Sequence, residues 1–201
     1  MISYMKRILI SGAGGIGGVN FINALKIFKD KFFIVGLDFN KYYLEFPNVD
    51  VRINSPRHLD PNFIKLIHKL VKKYNIDFLH PHPSSEALVI SQNTDSIQTK
   101  TLLPKPNIIS TDKLKTQQIL SHSGINVAQT KIFKNLDSIE INFKDLGNGP
   151  LWIRAKSGAG GNLSLLCNTS KEVEYWMKLW ILRGKANVDD FMLQQFLPGR
   201  N

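Results

Sequence analysis

Little in this sequence would staple, thread or anchor the chain. Its 201 residues include one cysteine, Cys167. That excludes a disulfide framework within the chain and a cysteine-based zinc site. No run of about 18 apolar residues occurs, so no segment reads as a membrane span. The opening Met1–Arg7 leads straight into Ile8-Leu9-Ile10, too short for a signal-peptide core and better read as a first strand. A cytoplasmic location, with no membrane partner, is the default expectation. There is no internal repeat, low-complexity tract, arginine-rich tract, zinc finger or RNP-type aromatic motif, so no nucleic acid is expected as a partner. Acidic residues are the scarcer sign: 16 Asp plus Glu against 26 Lys plus Arg, a formal net charge of +10. The balance admits an anionic partner. Four of these lysines (Lys65, Lys69, Lys72 and Lys73) interleave with Phe63, Ile64, Ile67, Leu70 and Val71 at helical spacing, which makes them the wet face of a helix.

What is present is 43% hydrophobic and 21% charged residues, enough to bury a core in one generous domain or two small ones. The first half alternates strand and helix. Arg7–Ser11, Phe32–Asp38 and Ile76–His80 read as buried strands, apolar almost throughout. Helices are expected from about Gly15 to Lys29, from Asp60-Pro61 with Asp60 as N-cap, and from Ser84 toward Ile97. This β-α-β alternation predicts an α/β fold with a Rossmann-like open parallel sheet. Pro104 and Pro106 mark a connection. Beyond it, Thr111 or Asp112 caps a helix ending near Gly124. A strand at 129–133, an amphipathic segment at 137–146 and strands at 151–154 and 163–167 follow. A helix over 172–182 and a last strand at 191–197 complete the pattern.

Four stretches carry chemistry. Gly12-Ala13-Gly14-Gly15-Ile16-Gly17 satisfies G-x-G-x-x-G between a strand and a helix, with Asp38 ending the next strand. Such a turn lets a pyrophosphate approach a helix N-terminus while the acid holds a ribose hydroxyl; equally, it only tightens a strand–helix turn. The loop 156–162, with Lys156, Ser157, Gly158, Gly160 and Gly161, joins two strands and lacks the Gly-Lys-Ser/Thr of a P-loop. It is either a glycine flap whose N–H groups cradle phosphate or an ordinary hairpin loop. Lys113 lies in the first turn of a helix, where its charge adds to the positive end of the dipole; a nearby anion or plain solvation accounts for it. Arg154 sits among apolar strand neighbours and needs a partner, either a bound anion or a structural ion pair. Finally, His80-Pro81-His82-Pro83 with Glu86 lacks a third metal ligand at motif spacing. His80 at a strand end and Glu86 at a helix start suit the substrate side of an α/β sheet better. Cys167 reads as a buried strand residue without a lowered pKa.

The order of these stretches resembles the ATP-grasp superfamily. Asp112-Lys113-Leu114-Lys115-Thr116 followed by Ser123-Gly124-Ile125-Asn126-Val127 is similar to the family's "DK…L…GIPVP" opening. Pro150–Gly161 is similar to its "P-V-I-I-K/R-P…G-G-G" strand and flap. Phe191–Gly199 is similar to its "VQEYLPG" hinge. The first half looks like the pre-ATP-grasp domain of the branch related to the carbamoyl-phosphate synthase large subunit, and the resemblance covers nearly the whole chain. It implies a pre-ATP-grasp domain over residues 1–108. The N-terminal lobe of an α+β ATP-grasp domain would occupy residues 109–201, truncated after the hinge strand. It implies that Lys113 and Arg154 contact the phosphates of ATP. Lys156, Ser157, Gly158, Gly160 and Gly161 would form the flap, and Gln194, Gln195, Phe196 and Leu197 would meet adenine. Gln195 stands where the hinge glutamate is usual, and Ala155 replaces a frequent proline. Gly12, Gly14, Gly15, Gly17, Asp38, His80 and Glu86 become substrate-side candidates; no catalytic residue or metal ligand is assigned.

The implied reaction activates a carboxylate with ATP as an acyl phosphate, for attack by an amine or similar nucleophile. Magnesium is expected on a further lobe beyond Gly199, so the chain as it stands is expected to be inactive. A half-clamp of this kind exposes apolar surface and favours a homo-oligomer. Two other readings remain. One is an NAD-dependent oxidoreductase or epimerase using Gly12–Gly17 and Asp38, without a Tyr-x-x-x-Lys pair. The other is a non-catalytic nucleotide-binding module.

Overall fold

The structure is a computed structural model describing residues 5–28, 31–158 and 161–199. The chain divides into two compact units, Met1–Ser110 and Thr111–Asn201.

The first unit contains β1 (Lys6–Ser11), α1 (Ile16–Lys26), β2 (Phe32–Asp38), β3 (Val51–Asn54), α2 (Asn62–Tyr74), β4 (Phe78–Pro81), α3 (Ser84–Ser91) and α4 (Pro106–Ile109). Its strands are all parallel, in the order β3-β2-β1-β4. Side chains alternate across the sheet. Ile8, Ile10 and Ile34 pack with Ile22 of α1 and with Val49. Leu9, Val35 and Leu37 pack with Phe63, Ile67 and Leu70 of α2 and Ile90 of α3. Two helical layers thus cover both faces, which is why β1 and β2 are apolar at successive positions. The strand order runs outward in opposite directions from β1. The carboxyl ends of β1 and β4 therefore flank the switch point where open α/β sheets bind ligands.

The sequence reading holds for these helices, with shifted ends. α2 begins at Asn62, and Asp60 still serves its N-terminus: Oδ1 accepts the Asn62 N–H at 2.8 Å. Asn75, at φ 48°, ends it in the left-handed region. α3 stops at Ser91 and does not run to Ile97. There, the Asn93 amide donates to the Val89 carbonyl and the Ser91 hydroxyl to the Leu88 carbonyl. Such local side-chain bonds compete with helix propagation. β3 had not been anticipated. It is a four-residue edge strand with only Val51 and Ile53 turned inward, held by parallel pairing to β2.

The second unit contains α5 (Lys113–His122), β5 (Thr130–Ile132), α6 (Ser138–Asp145), β6 (Leu151–Ala155), β7 (Leu165–Cys167), α7 (Ser170–Leu182) and β8 (Phe191–Gln195). Its antiparallel sheet has the order β5-β8-β6-β7. Leu151, Ile153, Cys167, Phe191 and Leu193 share one face and pack with Phe143 of α6 and with Val173 and Met177 of α7. α7 opens with a capping box: the Thr169 hydroxyl accepts the Glu172 N–H, and the Glu172 carboxylate accepts the Thr169 N–H. Two orphan donors are thereby satisfied. The opposite face of β6 and β8, free of α6 and α7, is where the polar side chains gather.

Candidate functional site

β6 alternates strictly: Leu151, Ile153 and Ala155 are buried in the core, while Trp152 and Arg154 are half-buried on the other face. Cross-strand register puts Trp152 opposite Gln194 and Arg154 opposite Met192. Arg154 and Gln194 are thus diagonal neighbours on one face, within reach for long side chains. Arg154 Nη1 donates to Gln194 Oε1 at 3.0 Å. Gln194 is 6% exposed. Its Nε2 donates to the Thr130 hydroxyl at 3.3 Å, and that hydroxyl donates to Gln117 Oε1 at 2.8 Å. A continuous polar line therefore runs from β6 across β8 and β5 to α5.

Lys113 enters from α5. Asp112 is the N-cap, its Oδ1 accepting the Lys115 N–H at 2.7 Å, the standard way to satisfy a helix start. The Lys113 N–H donates to the Lys156 carbonyl at 2.9 Å, and its Nζ to the Gly158 carbonyl at 2.6 Å. The helix start is thereby fastened to the stem of the glycine loop. Burial pushes the Lys113 ammonium below the ordinary lysine value; the Arg154 charge lowers it further and Asp112 partly opposes. The two cations are close enough for repulsion to register. Among the described residues, neither belongs to any ion pair; those formed are Lys6–Asp77, Lys26–Asp50, Lys131–Asp145 and Lys178–Glu174. The structural ion pair that sequence left open for Arg154 is absent, and its protein partner is a neutral amide.

The loop stem is built for close approach. Gly158 and Gly161 adopt φ of 92° and 71°, and a Cβ at either would meet open space. Their left-handed backbone is what requires glycine there. Ser157 and Gly158 are exposed and Lys156 is half-buried; Gly160 lies outside the described residues. Leu163, also left-handed at φ 59°, is pinned by Trp176 Nε1 donating to its carbonyl at 3.2 Å. At the other end, β8 closes at Gln195, whose N–H donates to the Gln129 carbonyl at 2.9 Å. Gln195 points to the face opposite Gln194, with Oε1 3.5 Å from the Gln129 N–H. Phe196 is half-buried and Leu197 is 61% exposed. The sequence reading missed Gln117, Thr130 and Trp152. Trp152 was legible, because it lies two residues before Arg154 on a strand. Gln117 and Thr130 were not, because their role depends on cross-strand register.

Burial moves the Cys167 thiol up to about 11, with a smaller push from the Glu172 carboxylate. This agrees with its reading as an unreactive strand residue.

The substrate-side candidates all belong to the first unit. Asp38 is 4% exposed; its Oδ2 accepts the Gly14 N–H at 3.1 Å and its Oδ1 the Asn40 N–H at 2.9 Å. The glycines of the turn serve internal packing. A Cβ on Gly12 would lie 2.3 Å from the Pro83 ring, one on Gly14 2.5 Å from the Tyr43 backbone, and one on Gly17 1.8 Å from His82 Nε2. Gly15 has only ordinary contacts. Of the two readings of this motif, the tight turn accounts for Gly12, Gly14 and Gly17 without a ligand. His80 stacks on Phe21 with ring centroids 4.2 Å apart. Burial chiefly, then His82, holds its imidazole below the usual value. Glu86 is 3% exposed and its Oε2 has no hydrogen-bond partner. Burial raises its pKa and Asp38 adds to the rise, against an opposing influence from the Ser11 hydroxyl. Among the described residues, no cluster of three or more metal-ligating side chains forms, and no helix is long and apolar enough to cross a membrane.

No family model matches the chain. Over 88 residues, 44% of the chain, it is 33% identical to a probable alpha-L-glutamate ligase of Vibrio parahaemolyticus. Over 92 residues it is 32% identical to a probable alpha-L-glutamate ligase of Vibrio atlanticus. These matches span 28% and 29% of those relatives. Among solved structures, 98% of the chain aligns with N5-carboxyaminoimidazole synthetase from Staphylococcus aureus complexed with ADP, at TM-score 0.65 and 16% identity. The ribonucleotide synthetase of the same kind from Thermotoga maritima aligns over 96%, at TM-score 0.61 and 20% identity. The chain spans about half the length of these structures, 49% and 46%. The fold is therefore that of the front half of ATP-grasp enzymes, a parallel Rossmann-like sheet followed by a separate antiparallel one. The ATP-grasp resemblance read from the sequence is borne out.

Proposed function

We propose that this chain is the ATP-binding portion of an ATP-dependent ligase that activates a carboxylate as an acyl phosphate for attack by an amine or similar nucleophile. The observation carrying this reading is the pair Lys113 and Arg154: two cations in one compact unit, beside a glycine loop, neither with a carboxylate partner. A polyphosphate supplies the missing charge. Lys113 and Arg154 take its oxygens, and the N–H groups of Ser157, Gly158 and Gly161 lie over them. Adenine lies along Gln194–Leu197 beyond the end of β8. Their catalytic contribution is positioning and charge neutralisation of the transferred phosphoryl group. Magnesium would supply further neutralisation of phosphate charge in such a reaction. The described residues do not fit a magnesium site, since they gather no set of three ligating side chains.

The carboxylate and amine are small molecules in this reading. They would approach the carboxyl edge of the first sheet near Gly12–Gly17, His80 and Glu86. Self-association through exposed apolar side chains is part of the proposal, and light scattering after size exclusion tests it. Calorimetry with ATP and NAD side by side tests the main reading. ATP binding lost in Lys113→Ala and Arg154→Ala supports it; NAD binding abolished by Asp38→Ala, with no response to ATP, overturns it.

A further inference from the structure

α5 carries Lys113, yet none of its residues is fully buried. A helix that buries no side chain completely gets little of its placement from apolar packing. Its position rests on polar links: the Lys113 N–H to the Lys156 carbonyl at one end, and Gln117 to Thr130 one turn further on. Residues four apart share a helix face, so Gln117 stands behind Lys113. The line from Gln117 through Thr130 and Gln194 ends on Arg154. It connects α5, the helix that carries Lys113, to Arg154 through three neutral side chains.

Its direction is fixed at the Arg154 end. A guanidinium only donates, so the Gln194 oxygen must face Arg154 and its NH2 must face Thr130. The Thr130 hydroxyl then accepts from Gln194, and its own proton lies between Gln117 Oε1 at 2.8 Å and the Ala128 carbonyl at 3.1 Å. The line also leaves the full charge of Arg154 uncompensated, because its partner is an amide and not a carboxylate. A glutamate at 194 would hold the guanidinium equally well but would neutralise it.

We infer that Gln117, Thr130 and Gln194 are positioning residues: a neutral relay that fixes α5 against β6, sets the placement of Lys113 relative to Arg154, and keeps both cations available to one polyphosphate. This rests on the ATP reading above and adds residues to it. Thr130→Val keeps the side-chain shape but removes the hydroxyl, leaving both amides without their link. Gln194→Glu keeps the bond to Arg154 and supplies a competing charge.

The test is calorimetric titration of the 201-residue chain with ATP, AMP and adenosine, with thermal unfolding as a control. The expected result is a loss of about tenfold or more in ATP affinity for both variants, roughly 1.4 kcal/mol. The loss should shrink for AMP and vanish for adenosine, and Thr130→Ser should restore binding. A general structural defect would lower adenosine binding equally and would overturn the relay. So would ATP affinity unchanged in Thr130→Val and Gln194→Glu while Arg154→Ala is impaired. If Arg154→Ala and Lys113→Ala also bind ATP as the parent does, the ATP reading falls and the relay with it. Should Thr130→Val unfold, Gln194→Glu alone decides, because it keeps the Arg154 contact while adding a charge and removing the donor to Thr130.

Discussion

The carboxylate of Asp38, at the end of β2, accepts the backbone N–H of Gly14 in the turn after β1, at 3.1 Å. A second N–H, from Asn40, meets its other oxygen. An acid that a dinucleotide would need for its ribose is thus committed to the glycine turn itself. Asp38→Asn should destabilise the first unit by roughly 1–3 kcal/mol, the loss of charge-assisted bonds at a buried site. Urea denaturation measures it. NAD titrated against the parent chain should give no heat; saturable NAD binding would reverse this account of the motif.

Gly17 and His82 form a second such relationship, since a Cβ on Gly17 would lie 1.8 Å from Nε2 of the ring. Gly17→Ala must displace the imidazole and should cost roughly 1–3 kcal/mol. In His82→Ala the space opens, so the double variant should recover most of that loss. A double-mutant cycle with no coupling would show that the ring does not sit over the helix start.

Glu86 predicts a pH dependence of stability. Its folded-state pKa is raised above the ordinary value of 4.5, first by burial. The native state therefore binds more protons than the unfolded state between those two values. This contribution to stability is complete below pH 4.5 and is lost as pH rises through the folded pKa. Glu86→Gln should flatten that part of the stability–pH curve. Parallel curves for parent and variant would contradict it.

Lys113 carries a depressed pKa, from burial first and Arg154 second. Bound polyphosphate favours its charged form, so binding should take up protons as pH approaches the lowered value. ATP affinity should then fall with rising pH earlier than an ordinary lysine would allow. Arg154→Gln should move that fall to higher pH, because it removes the repulsion. Titrations in buffers of different ionisation heat count the protons.

Much of the architecture was legible because hydrophobic period is a local property. β1 and β2 announced burial on both faces through unbroken apolar runs, and Asp112 and Gly124 marked helix ends where the backbone needs a cap or a positive φ. β3 was not legible. Two inward residues between prolines give no period, and the strand exists because β2 offers it an edge. The early end of α3 was not legible for a related reason: Asn93 and Ser91 turn their side chains onto the helix carbonyls, which a periodicity count does not see.

The same division holds for the candidate site. Composition and spacing alone determined that a lysine starts a helix, that an arginine stands in an apolar strand, and that a glycine loop follows it, because each is set by neighbours in the chain. Only tertiary structure decided that Arg154 meets a neutral glutamine and that Gln194, not Gln195, shares its face. It also decided that Asp38 belongs to the glycine turn. Those outcomes depend on strand register and on which backbone donors are left unmet, and both are settled by residues dozens of positions apart.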